Sequence, residues 1–368
     1  MRKLSDTVAR LTRMANAASP MHLVGGRLQP LSKFAPNPGQ LEAWVHIPAD
    51  LEPGAPLVVV LHGCTQTAAG YDESSGWSRL ADQHGFAVIY PEQQRSNNPN
   101  LCFNWFAPAD VARSKGEIRS IREMVAAMQE RYNTDAARVF VTGLSAGGAM
   151  TAAMLATYPE VFAGGAVIAG LPFGVAQTVP EAFDRMRGHG GPSLADLPDL
   201  VRNASNYEGD WPTLSVWHGS ADPVVDRSNA AALVEQWRVL HGTAKVPSRT
   251  DEVQGYPRSI WSNSDGREVI EEYRILGLAH GTPLDPEGSD HGETVAPYML
   301  DAGISSTRLI ARFWGIAPDQ PGKRRTVASA KPLEKVAPPR VPMSPAGFGQ
   351  AFIDKTIADA LRSAGLMK

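Results

Sequence analysis

The chain reads as an α/β fold, a mostly parallel central sheet with helices on both faces. Three observations predict it. Short apolar, β-branched runs recur along the chain. Segments with helical apolar spacing stand between them. One run passes through a glycine-flanked serine straight into a small-residue helix.

The elements follow in order. Leu41–Ile47, LEAWVHI, alternates like an early antiparallel strand. Leu57–Leu61, LVVVL, is uniformly apolar, as a strand buried on both faces must be. A helix is expected over Tyr71–His84, a strand over Phe86–Tyr90 and a longer helix over about Gly116–Tyr132. Arg138–Thr142 is the strand before the serine, and Gly148–Leu155 continues as helix. Phe162–Ala169, Thr213–His218 and Glu272–Leu276 read as strands, Ser228–His241 and Ser305–Trp314 as helices. Two stretches break the alternation. Residues 173–211 hold Gly-His-Gly-Gly, several prolines and short helical pieces, and residues 243–268 are polar and turn-rich. Both are expected to be loops, with a lid or binding wall as the alternative.

Residues 141–149, VTGLSAGGA, decide the chemistry. Gly143-Leu144-Ser145-Ala146-Gly147 fits G-x-S-x-G between a strand and a helix, the context of a nucleophile elbow. The sharp turn strains the serine backbone, and flanking glycines avoid clashes with its Cβ. A serine hydroxyl is a poor nucleophile and needs a base, an orienting acid and an oxyanion hole. In α/β-hydrolases the order is Ser, Asp or Glu, then His.

Leu214–His218 is a strand, and Gly219-Ser-Ala-Asp222 follows directly. An acid just past the carboxyl end of a strand suits the orienting role, so Asp222 is chosen over Asp226. Turn capping before Pro223 is its structural alternative. His280 follows the strand ending at Leu276 and is preferred as base to His291, which lies farther along the loop. The oxyanion hole needs two N–H donors. Ala146 supplies one. The loop after Leu61, His62-Gly63-Cys64-Thr65-Gln66, supplies the other, with the Cys64 N–H as the expected donor. His62 is read as an oxyanion-loop residue and not as the base.

Three blocks together resemble a known family. LHGCTQTAAGYDESSGW at 61–77, YPEQQRSNNPNLCFNWF at 90–106 and VTGLSAGGAM at 141–150 are similar to polyhydroxybutyrate depolymerase-type esterases. These are α/β-hydrolases related to feruloyl and acetylxylan esterases. The resemblance runs from about Leu41 to Trp314. It implies a Ser145, Asp222, His280 triad that hydrolyses carboxylic esters through an acyl-enzyme, without cofactor or metal. It implies short-chain or 3-hydroxybutyrate oligomer or polymer esters as substrates, with feruloyl, aryl or acetyl esters as the alternative. It also places His62, Gly63, Asn104 and Trp105 beside the substrate, with Trp105 as an acyl-pocket wall or a core aromatic. Secreted polymer degraders carry an export signal, a Thr/Ser-rich linker and a polymer-binding domain, none of which is read here.

Cys64 and Cys102 both fall in loops near the site. A disulfide bracing the oxyanion loop and two reduced thiols are equally open readings. Two cysteines make neither a disulfide scaffold nor a metal site.

The 368 residues are 43% hydrophobic, with net charge -3 and pI about 6.3. That suits one large domain with extensions. The expected organisation is a 1–40 arm, a 41–317 α/β-hydrolase domain and a 318–368 extension. The arm carries Leu4, Val8, Leu11 and Met14 at helical spacing. The extension runs from Lys323-Arg324-Arg325 through Pro-rich text to a helix with Ile353, Ile357 and Leu361. Mild acidity argues against a nucleic-acid partner. No apolar run nears the roughly 18 residues of a membrane span. The N-terminus lacks a continuous apolar signal region, so a cytoplasmic location is expected, with export by another route as the alternative. Oligomeric state is left unassigned. Beside the esterase reading stand a serine peptidase or acyltransferase on the same fold and a non-catalytic binding protein.

Overall fold

The computed structural model describes residues 26–288 and 292–317. The 1–40 arm up to residue 25, the 318–368 extension and His291 lie outside the described residues.

Strand β1 is Gln29–Pro30, β2 Glu42–His46 and β3 Leu57–Leu61. Helices α1, Ala68–Ser75, and α2, Trp77–His84, precede β4, Ala87–Glu92. Then come α3, Pro108–Val111, α4, Gly116–Tyr132, β5, Val139–Leu144, and α5, Ala146–Thr157. Strand β6 is Gly164–Ile168, followed by α6, Val179–Met186, α7, Leu197–Arg202, β7, Thr213–Gly219, and α8, Ser228–Leu240. Strands β8, Arg249–Val253, β9, Tyr256–Ser262, and β10, Glu268–Ile275, complete the large sheet. A small pair, β11, Thr282–Leu284, and β12, Met299–Asp301, precedes α9, Ser306–Phe313.

The large sheet has ten described strands in the order β1-β2-β4-β3-β5-β6-β7-β10-β9-β8. Its centre, from β4 through β10, is parallel. The expected α/β-hydrolase fold is thus present, with antiparallel strands at both ends. Alternation along β3 shows how the core is made. Leu57, Val59 and Leu61 enter one apolar cluster, with Ile118, Ile121 and Val125 of α4 and the buried residues of α5. Val58 and Val60 enter the other, with Trp77, Phe86 and Trp314. Each such side chain contributes roughly 1.5–3 kcal/mol by leaving water.

Two expectations change. The helix over Tyr71–His84 is two helices, because Gly76 takes φ 73° and its N–H closes α1 on the Asp72 carbonyl. A Cβ there would stand 2.5 Å from the Gly292 carbonyl oxygen. The stretch 243–268 is not a loop but the β8–β9 hairpin, which extends the sheet. Its strands are the two outermost at this end of the sheet, β8 at the edge and largely exposed and β9 mostly half-buried, so neither reads as an apolar run. Backbone pairing holds them, and ion pairs add side-chain links, Arg258 to Asp251 at 2.7 Å and Arg249 to Glu268 at 2.9 Å. Residues 173–211 hold α6 and α7. Gln236 of α8 anchors the stretch through the Phe173 N–H and carbonyl, at 3.0 and 2.9 Å, and the Leu197 carbonyl at 3.1 Å.

Candidate active site

Ser145 stands alone between β5 and α5, with φ 57° and ψ −116°. A residue with a Cβ is strained there. Two hydrogen bonds hold it. Its N–H donates to the Ile168 carbonyl and its carbonyl accepts from the Ala149 N–H, both at 2.9 Å. The following glycine is sterically required, since a Cβ on Gly147 would lie 2.4 Å from the Leu61 carbonyl oxygen. The elbow therefore packs directly under the loop that leaves β3. Its helix N-terminus favours negative charge on the reacting group.

Asp222 and His280 follow neighbouring strands. β7 and β10 are parallel, with Gly219 opposite Ile275, so their loops leave the same edge side by side. Backbone bonds stitch these loops together. The Ser220 N–H donates to the Ile275 carbonyl at 2.9 Å and the Ala221 N–H to the Leu278 carbonyl at 3.0 Å. Gly219 permits the crossing, as a Cβ there would lie 2.3 Å from the Leu278 carbonyl oxygen. The result is a 2.7 Å hydrogen bond from His280 Nδ1 to Asp222 Oδ2. Because the carboxylate accepts, Nδ1 carries the hydrogen, and a neutral ring then keeps its lone pair on Nε2. That is the tautomer a general base needs.

Asp222 Oδ1 accepts the N–H groups of Val224 and Val225 at 2.8 and 2.9 Å. Its side chain is fully shielded. Burial pushes its pKa up, but His280 and the two backbone donors outweigh that and hold the carboxyl below its usual range. Asp226 is occupied elsewhere, accepting the Ser228 N–H at the start of α8 at 2.8 Å. The His280 ring, 8% exposed, meets Tyr298 edge to face with centroids 6.0 Å apart.

The loop after β3 is fixed from several sides. The Gly63 N–H donates to Gln66 Oε1 at 2.8 Å. The amide of Gln66 reaches on to the Pro297 carbonyl at 3.3 Å, beside Tyr298. No described residue takes the Cys64 backbone N–H. Ala146 opens α5, so its N–H has no intrahelical acceptor. Cys64 and Cys102 are joined by a disulfide spanning 38 residues of sequence. His62 is 1% exposed. Its Nδ1 donates to the Gly63 carbonyl at 2.7 Å and its Nε2 accepts the Gln93 N–H at 3.1 Å. Burial holds its pKa down to about 4. Both ring nitrogens thus serve the loop and neither is offered to a substrate.

The loop carrying Cys102 is equally braced. Phe103 packs on His62 with centroids 5.0 Å apart. Asn104 donates from its backbone and side chain to Glu117, at 2.9 and 2.7 Å, and accepts from Asn98 at 3.0 Å. Gln93 also donates to Glu117, at 2.6 Å. Burial pushes Glu117 up to about 8 against these donors. Asn104 is therefore a member of a structural network. Trp105 lies in the core cluster with 8% of its surface exposed, edge to face with Phe106 at 5.6 Å.

The sequence matches the family profile described as Esterase PHB depolymerase over residues 44–253. It is 45% identical over 291 residues to the poly(3-hydroxyalkanoate) depolymerase C of Paucimonas lemoignei, covering 78% of this chain and 70% of that one. The chain belongs to this esterase family. It is 31% identical to feruloyl esterase B of Talaromyces stipitatus, over 70% of this chain and 73% of that one. Among solved structures, an acetyl xylan esterase from Aspergillus awamori superposes with TM-score 0.67 at 26% identity. That match covers 79% of this chain and all of the other. This member of the family is a serine hydrolase of carboxylic esters.

Several residues that build the esterase's site were not singled out from sequence: Gln66, Gln93, Glu117, His218 and Tyr298. Glu117 reads as an ordinary acid in the first turn of α4, and only the fold of residues 93–104 over it reveals its part. His218, the penultimate residue of β7, was visible only as the end of a strand. No group of three or more potential metal ligands occurs among the described residues, and no described helix is long and apolar enough to cross a membrane. A cavity of about 250 Å³ lined by Ala137, Phe162, Trp211 and Arg267 lies at the other edge, by the amino ends of β5, β6, β7 and β10.

Proposed function

We propose that Ser145 is the nucleophile, His280 the general base and Asp222 its orienting acid, with the N–H groups of Ala146 and Cys64 as the oxyanion hole. His280 Nε2 takes the Ser145 hydroxyl proton as Oγ attacks the ester carbonyl. The carbonyl oxygen gains negative charge between the two N–H donors. His280 then protonates the leaving alcohol, and the acyl-enzyme forms. Water, deprotonated by the same ring, releases the acid and restores Ser145. The observation that carries this reading is the 2.7 Å His280–Asp222 bond on the sheet edge where Ser145 takes its strained turn.

The substrate class follows the relatives. Identity is 45% to the 3-hydroxyalkanoate depolymerase and 31% to the feruloyl esterase. That gap favours esters of short-chain and 3-hydroxy acids, as oligomer or polymer, over feruloyl or acetyl esters. The test is a panel of p-nitrophenyl esters of graded length, 3-hydroxybutyrate oligomers, a feruloyl ester and acetylated xylan. Highest kcat/KM on the 3-hydroxybutyrate oligomers is expected. Highest kcat/KM on the feruloyl or acetyl substrate would move the enzyme to the other branch. Cleavage of amides in place of esters would make it a peptidase.

A further inference from the structure

We propose that His218 is a positioning residue that locks Asp222 in the place from which it meets His280. The inference rests on the reading of Asp222 as the triad acid.

The His218 ring is 4% exposed, behind the acid–base pair. Its Nε2 lies 2.9 Å from the Val225 carbonyl oxygen and 3.5 Å from Asp222 Oδ2. Both are acceptors, so Nε2 carries the hydrogen. Val225 in turn gives its N–H to Asp222 Oδ1 at 2.9 Å. A closed circuit results: His218 holds the Val225 carbonyl, the Val225 N–H holds one carboxylate oxygen, and His218 faces the other. The turn from Asp222 to Val225 is thereby clamped to the rigid strand β7. The same carboxylate oxygen that receives His280 Nδ1 is thus flanked by a second N–H.

The opposite ring atom supports this reading. His218 Nδ1 is buried with no hydrogen-bond partner among the described residues. A buried acceptor without a donor is destabilising, and an apolar ring would fill the space without that defect. What the imidazole adds is the Nε2–H. The charged and titratable groups around it are Asp222, His280 and Asp226, and burial favours its neutral form. A neutral ring donates to the Val225 carbonyl and faces the carboxylate without placing a full charge beside His280.

The experiment compares three variants. His218→Gln can place an amide N–H near the Nε2 position. His218→Phe and His218→Leu remove the donor while filling the space. Each is checked for folding by thermal melting, assayed for kcat and KM on a p-nitrophenyl ester, and titrated with a fluorophosphonate. In the donor-less variant that folds, kcat should fall about 10- to 100-fold, the range in which small misplacements act. KM should stay within about twofold, because His218 does not face substrate, and His218→Gln should recover most of kcat. Wild-type kcat in a folded donor-less variant overturns the proposal. So does His218→Gln no faster than His218→Leu, or failure of both donor-less variants to fold while His218→Gln is folded but inactive. Failure of the wild type itself to label at Ser145 instead sinks the triad reading beneath it.

Discussion

His280 and Asp222 are 58 positions apart in sequence, yet their side chains share a 2.7 Å hydrogen bond. Parallel pairing of β7 with β10 brings the two loops to one edge, and Gly219 lets them touch.

Asp222→Asn should disable the enzyme without unfolding it. The asparagine oxygen must still accept from Val224 and Val225, which turns its NH2 toward His280 Nδ1. The ring then carries its hydrogen on Nε2 and cannot accept the Ser145 proton. Turnover should fall on the order of 10^4-fold, as a wrong tautomer does in other triads. Steady-state kinetics beside a thermal melt checks this, and wild-type kcat would remove Asp222 from the triad.

Gly219→Ala tests the crossing. The added Cβ would lie 2.3 Å from the Leu278 carbonyl oxygen and 2.6 Å from that of Ala279, so the segment before His280 must shift. A kcat loss on the order of 100-fold is expected, with destabilisation of about 1–3 kcal/mol. Urea titration and kinetics read the two effects separately. Unchanged kcat would show that the His280 loop tolerates the displacement.

Reduction should weaken both stability and turnover. The Cys64–Cys102 bridge closes 38 residues, which in the chain-entropy model stabilises by about 3–4 kcal/mol. It also fixes the loop presenting the Cys64 N–H. Thiol titration of denatured, unreduced protein should find no free thiol. Two free thiols would show that the bond does not form.

His62 should link stability to pH. Its folded pKa, about 4, lies below the ordinary 6.5. The unfolded chain therefore binds the proton more readily, and the stability that neutral His62 contributes is lost as pH falls from about 6.5 toward 4. Comparing wild type with His62→Gln cancels the other titrating groups. The stability difference should shrink by on the order of 2 kcal/mol between pH 7.5 and 5. A difference independent of pH would mean that His62 is not held neutral by burial.

Much of this site was legible because its parts are local. G-x-S-x-G between strand and helix marks Ser145, and Asp222 and His280 follow the ends of β7 and β10. Edge strands were less legible. Thr250, Asp251 and Glu252 carry no apolar signature, since β8 is a largely exposed edge strand paired through its backbone to β9, with ion pairs beside the ladder. Asn104 and His62 were placed beside the substrate by the family resemblance. Their partners, Glu117 and Gln93, become apparent only when distant segments meet. The His62 ring is accordingly a support of the loop, and the side chain of Asn104 a link to α4.

The central claim is that Ser145 forms the acyl-enzyme. The most direct measurement is intact mass spectrometry after treatment with a fluorophosphonate, with peptide mapping of the adduct and parallel assay of Ser145→Ala. One adduct per chain on Ser145 is expected, together with loss of ester hydrolysis. Ser145→Ala should lose on the order of 10^4-fold or more in turnover while melting like the wild type. An adduct on another residue, or near wild-type hydrolysis by Ser145→Ala, would contradict the account.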